Sequence, residues 1–258
     1  MPGKNKAVVK NKTKAMVYLY AIVNGKGKET YGPIGILDKE VYAVYQGGMA
    51  AVVSRLKHQR IRPQRRHMAA HNTVLTTLMA DQTPMPVSFG IVAKSPGAVK
   101  QMLSDEQKAL EAAYERVEDR VEMVVRVRLD VPDIFEYFVF NHPELTAERD
   151  RVYGGGGTPG REDKLELGRL FDRLLSHTRD QVTETVEPVL SGASVEILEN
   201  KCRDERDLMD LSCLVERGNK SRFESAVHKA AESFDESFTF DVKGPWVPHS
   251  FVDLQLDI

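Results

Sequence analysis

Apolar residues run unbroken through residues 16–23, a stretch rich in β-branched and aromatic side chains that closes at Asn24-Gly25. A run without polar alternation has no wet face, so it predicts a strand buried on both sides and followed by a turn. Residues 41–45 and 49–54 flank Gly47-Gly48. Two glycines accept the positive φ of a tight turn, which makes this pair a predicted β-hairpin. Over residues 66–80, His67, Ala70, His71, Val74, Leu75 and Leu78 recur at spacings of three and four, which places them on one face of a helix. Pro84 and Pro86 end it, residues 85–92 read as a strand, and Ser95-Pro96 supplies a cap and a first-turn proline for a helix reaching about Asp119.

Residues 120–130 alternate charged and apolar positions over their second half, the pattern of a strand with one wet face. Strands and helices alternate along this first half, with the glycine hairpin interrupting them. That order predicts an α+β domain with helices on one face of a mixed sheet, close to the ferredoxin-like β-α-β-β-α-β arrangement. Beyond Val131-Pro132 the pattern is more helical: 133–152 with a break at His142-Pro143, a glycine-rich stretch at 154–160, and a long helix from 161 to about 187. Residues 193–199 and 207–215 read as a second antiparallel pair, 220–234 as a helix, and 237–242 and 251–256 as strands. The predicted organisation is a flexible basic tail over 1–15, a ferredoxin-like domain over 16–130, and a smaller α+β domain with a long helix over 131–258.

Composition narrows the class. Apolar residues are 41% and charged residues 29% of 258, the balance of a folding globular chain. With 36 Lys plus Arg against 38 Asp plus Glu, the net charge of -2 sets up no overall field toward nucleic acid or lipid, so electrostatic targeting has to be local. The two cysteines, Cys202 and Cys213, fit a reducing cytoplasm where thiols serve as small apolar side chains. No apolar run approaches the length of a membrane span, and 16–23 is too short for a secretion signal.

Candidate chemistry is sparse. The run Gly154 to Gly157 lacks the Lys-Ser/Thr pair that a phosphate-binding loop places at its helix start, so a flexible hinge or a surface loop is the preferred reading. Residues 55–67 carry Arg55, Lys57, Arg60, Arg62, Arg65 and Arg66 with His58 and His67, and without the interleaved aromatics that stack on bases. A solvated loop or a patch for an acidic protein surface is favoured over nucleic acid. His67 and His71 stand four apart, but no glutamate follows the first as in the zinc-protease His-Glu-x-x-His motif. No Gly-x-Ser-x-Gly occurs, and Cys202 has basic neighbours but no fixed base. The residues therefore predict no catalytic group, metal or cofactor.

Several stretches taken in order resemble the gas vesicle protein F/L family. They begin with Tyr18-Leu19-Tyr20-Ala21-Ile22 and the valine-rich run 49–54, then Ala70-His71-Asn72 with Val74-Leu75. Next comes Met85-Pro86-Val87-Ser88-Phe89-Gly90, similar to the family's Leu-Pro-Val-Arg-Phe-Gly strand with methionine for leucine and serine for arginine. The first replacement conserves volume and the second removes a charge. Glu122 with Val125-Arg126-Val127, Glu166 to Arg169, and Leu211 to Val215 follow. The most specific is Gly244-Pro245-Trp246-Val247-Pro248-His249-Ser250-Phe251, which resembles the family's closing Gly-Pro-Trp-Pro-Pro-Tyr-x-Phe segment. On its own chemistry that segment predicts a turn, a buried Trp246 ring and a return to a sheet.

The resemblance implies a two-domain accessory or minor structural protein of the gas vesicle, partnered by the small shell protein and other accessory proteins, in the cytoplasm or at the vesicle, with no nucleic acid and no membrane. It adds no catalytic residue. Charge alone places the expected partner contact at Arg55, Lys57, Arg60, Arg62, Arg65 and Arg66. The alternative is a ferredoxin-like regulatory or nucleic-acid-binding module using the same segment.

Overall fold

The computed structural model describes residues 16–25, 27–57, 60–155 and 158–256, so the expected basic tail over 1–15 lies outside the described residues. The chain divides into two units, Met1–Glu118 with Val252–Ile258, and Asp119–Phe251.

In the first unit β1 (Met16–Asn24) is fully buried from Val17 to Val23, as its unbroken apolar run requires. β2 (Thr30–Gly32) is short, and β3 (Val41–Gln46) and β4 (Met49–Leu56) form the expected hairpin, Tyr45 facing Ala50. Gly47 and Gly48 take φ of 61° and 86°, the two positive values a two-residue hairpin turn needs. α1 (Arg65–Met79) buries His67, His71, Val74, Leu75 and Leu78. Each fully buried aliphatic side chain of that stripe contributes about 1.5–3 kcal/mol.

The predicted strand 85–92 is two short pairings on β1, β5 (Met85–Pro86) and β6 (Val92–Ala93). β5 places Ala21 opposite Pro86, β6 places Tyr18 opposite Val92, and residues between them arch away while Val87 N–H still donates to Tyr20 C=O. The sheet order is β2-β3-β4-β1-β5, with β6 also on β1. Every pairing is antiparallel, so the expected mixed sheet is corrected: β5 and β6 run back along β1 instead of parallel to it. The helix foreseen over 96–119 is two, α2 (Pro96–Asp105) and α3 (Gln107–Val117), because Glu106 leaves helical geometry at φ -96°, ψ 10°. Ser95 caps α2 as predicted, its Oγ accepting from Ala98 N–H at 3.1 Å.

The second unit opens with β7 (Arg120–Leu129). This strand was expected to close the first domain, but it is the inner strand of the second sheet, ordered β10-β7-β9-β8. The boundary therefore falls at Glu118/Asp119 instead of 130/131, and the second unit, spanning 119–251, is not the smaller of the two. α4 (Ile134–Asn141) and α5 (Pro143–Tyr153) are split at His142-Pro143 as foreseen. α6 (Arg161–Ser191) keeps one more turn past Pro188, with Leu190 fully buried. β8 (Glu196–Glu199), β9 (Asp207–Glu216), α7 (Lys220–Ala231) and β10 (Phe238–Trp246) complete it.

Met123, Val125, Val127 and Leu129 of β7 join Met209, Leu211 and Cys213 of β9 and the inner stripes of α4 to α7 in one core. The opposite face of β7 and β9 carries Glu122, Arg126, Asp210 and Ser212. It was expected to be wet, yet all four are buried. Their alternation told polar from apolar and said nothing of exposure. After β10 the chain forms a short 3-10 turn (His249–Phe251), and 251–256 is no strand. Phe251 is buried while Trp246, predicted to bury its ring, is 53% exposed, because it ends an edge strand.

Candidate functional site

A groove of about 830 Å³ opens at the β2-β3-β4 end of the first sheet. Tyr42, Ala43 and Tyr45 from β3 and Leu56 from β4 supply its apolar lining. Lys39, Arg55 and Lys57 bring three cations and Glu29 and Glu40 two carboxylates. Tyr42 and Tyr45 stand three apart on a strand, so they belong to opposite faces, and the groove wraps the sheet's margin. The Tyr45 hydroxyl donates toward Gly27 C=O at 2.9 Å. Burial first, then the Glu29 carboxylate, pushes its phenol up from the ordinary value. The Tyr42 hydroxyl is buried and has no hydrogen-bond partner among the described residues. A buried donor left unpaired costs about 1–3 kcal/mol.

Of the six cations proposed from sequence, the structure brings Arg55 and Lys57 to this groove. Arg60 and Arg62 lie on an extended stretch leading to α1, and Arg65 and Arg66 are in its first turn. All six are exposed, and none is in an ion pair among the described residues. His67 and His71 do not converge on a common site. His67 Nδ1 donates to Arg62 C=O at 3.0 Å. His71 lies inside the first unit, where its Nδ1 is 3.0 Å from the Tyr18 hydroxyl and its ring meets those of Tyr18, Tyr20 and Phe89. Tyr42, Tyr45 and Lys39 were missed by a reading guided by charge clusters. The signal for them was present in β3, where tyrosines interrupt a short valine strand.

Across the second sheet, buried charges meet cations or hydroxyls. Arg126 donates through Nε at 3.0 Å and through one terminal nitrogen at 2.6 Å to Asp210 Oδ2. Asn200 donates to Asp210 Oδ1 at 3.1 Å. Arg128 Nε lies 3.0 Å from Asp207 Oδ1. Glu122 accepts from Ser212 Oγ, Ser250 Oγ and Ser250 N–H at 3.1, 2.7 and 2.8 Å, which ties the closing segment to β7. Burial pushes the Cys213 thiol up to about 12 and raises Cys202 as well, so neither is an activated nucleophile. Among the described residues no group of three or more His, Cys, Asp or Glu is placed to hold a metal, and no helix is long and apolar enough to cross a membrane.

The described residues form an α+β protein of two antiparallel sheets with a groove at the margin of the first. Its relatives place it among the gas vesicle proteins. The family described as gas vesicle synthesis protein GvpL/GvpF matches residues 16–253, and the chain belongs to it. It is 27% identical over 241 residues to gas vesicle protein F of a Streptomyces species, covering 92% of this chain and 99% of that relative. It is 24% identical to gas vesicle protein F1 of Halobacterium salinarum, covering 93% and 94%. The crystal structure of gas vesicle protein GvpF from Anabaena sp. PCC7120 superposes with a TM-score of 0.82 at 22% identity, over 94% of this chain and all of that one. The Microcystis aeruginosa GvpF structure gives 0.77 at 19%, over 93% and 99%. Both share the fold.

Proposed function

We propose that this gas vesicle protein is an assembly factor that binds the small hydrophobic shell protein and keeps it from aggregating before it enters the vesicle wall. The role is binding and not catalysis, exercised in the cytoplasm and at the growing vesicle alongside other accessory proteins. The observation that carries it is the groove at the margin of the first sheet, lined by Tyr42, Tyr45 and Leu56 with Lys39, Arg55 and Lys57 outnumbering the carboxylates of Glu29 and Glu40. Such a surface takes an apolar segment flanked by acidic residues: the rings supply area at small entropic cost and the cations fix register. Arg60, Arg62, Arg65 and Arg66 extend the basic rim beyond the groove and are proposed to steer the encounter.

The test is co-expression of the full chain with the small shell protein, followed by co-purification. Retention by the wild type, and its loss in Arg55→Glu/Lys57→Glu and in Tyr42→Ala with unchanged thermal unfolding, is expected. No retention by the wild type would refute the reading, and retention unchanged in both variants would move the contact away from the groove.

A further inference from the structure

Among the described residues β10 has a strand neighbour, β7, on one side only, which leaves it an edge of the second sheet. Asp130 N–H donates to Ser237 C=O at 2.8 Å, in register with the Phe238–Leu129 to Lys243–Val124 pairs. Main-chain groups of an antiparallel strand point alternately to its two sides. Thr239, Asp241 and Lys243 are therefore bonded to β7, while the N–H and C=O of Phe240 and Val242 point to the open edge. Thr239, Val242 and Lys243 are exposed. Below the edge, between β10 and α7, runs a groove of about 400 Å³ lined by Phe240, Val242, Val227 and Ala231, with Lys220 and His228 on its rim.

An open edge recruits another strand unless something blocks it; the register slip and Pro245 close its far end, so the regular stretch on offer runs from Phe238 to Lys243. A lone lysine would block it. Lys243, however, is balanced by Asp241, 2.8 Å away, and the two flank Val242 symmetrically.

We propose that β10 pairs antiparallel with β10 of a second copy of this chain, two-fold about Val242. In that register Asp241 faces Lys243 of the partner subunit and Lys243 faces Asp241 of the partner subunit, a doubled attraction. Centring the pair on Asp241 or Lys243 would set like charges against each other and use groups already bonded to β7; centring on Phe240 keeps the hydrogen-bond parity but leaves both charges without a partner across the two-fold, so charge selects Val242. The two-fold is perpendicular to the sheet, so both α7 helices stay on one side and the two grooves meet over the junction. A short strand pair buries less than the roughly 1,200 Å² of a standard interface, and the joined grooves add apolar area. The product is a reversible, concentration-dependent dimer.

Sedimentation of the full chain over a concentration series is the test, read together with hydrogen exchange. The wild type is expected to shift toward a dimer on concentration while the Phe240 and Val242 amides gain protection. Lys243→Asp should raise the dissociation constant about tenfold or more, since symmetry counts each like-charge contact twice. The swapped variant Asp241→Lys/Lys243→Asp restores the complementary pattern and should regain dimerisation. A wild type that stays monomeric with freely exchanging Phe240 and Val242 amides overturns the inference. So does a dimer indifferent to Lys243→Asp. Neither outcome depends on binding of the shell protein.

Discussion

The two sheets bury their inner strands by opposite means. In the first, β1 is apolar from Val17 to Val23, and the hydroxyls it carries are each spent on a fixed partner: Tyr18 accepts from Gly90 N–H at 3.0 Å and sits 3.0 Å from His71 Nδ1, while Tyr20 accepts from Ile36 N–H at 2.8 Å and meets Ser54 Oγ at 2.8 Å. In the second, β7 gives one face to the apolar core and lines the other with charges that are equally out of water. Hydrophobic burial is non-directional, whereas a buried ion pair is worth having only in its own geometry. The first sheet should therefore tolerate exchange of shape-matched aliphatic side chains, and the second should be brittle at single charges.

The largest effect that would break this contrast is at Arg126. Replacing it with Met strands Asp210 without its cation and should cost about 3–5 kcal/mol in denaturant unfolding. Adding Asp210→Leu should recover most of the loss, because a shape-matched apolar pair can replace a buried ion pair. If the single change is mild, the charges are solvated and the contrast fails. Next comes Tyr18→Phe in the first sheet, which leaves Gly90 N–H and the imidazole without the hydroxyl and should cost about 1–3 kcal/mol by the same measurement. Smaller still is Ser250→Ala, expected at about 0.5–1.5 kcal/mol, since Glu122 keeps the Ser250 N–H and the Ser212 hydroxyl. The last is a reactivity and not a stability: with its thiol pushed up to about 12 by burial, Cys213 should resist alkylation at mildly alkaline pH and react on unfolding, and mass mapping should find Cys202, which is half-buried, labelled first.

Much of the fold was legible because apolar spacing reports which side chains are inside. The β3-β4 hairpin followed from Gly47-Gly48, the α1 stripe from spacing, and the α4/α5 break from Pro143. Spacing does not report partners. Nothing in residues 120–130 says that Arg126 will meet Asp210, 84 positions on, so β7 was assigned to the wrong sheet and its charged face to solvent. The arch between β5 and β6 escaped for a related reason, since strand propensity over 85–92 is unbroken while the register on β1 is not. Trp246 misled because a large ring is usually buried, and only its place at the end of an edge strand exposes it. At the candidate site, Arg55 and Lys57 were found through charge density. The tyrosines beside them were not, because a strand of valines and tyrosines reads as core until its neighbours on the sheet are known.

The division of the chain has a temporal side. Residues 252–256 belong with the first unit although the whole of the second lies before them, so the second unit is in effect an insertion. Synthesis runs from the N-terminus, so the first unit waits through the making of the entire second unit for residues 252–256. Nascent chains stalled before Val252 would then carry a first unit lacking residues 252–256 while all of the second unit has been made.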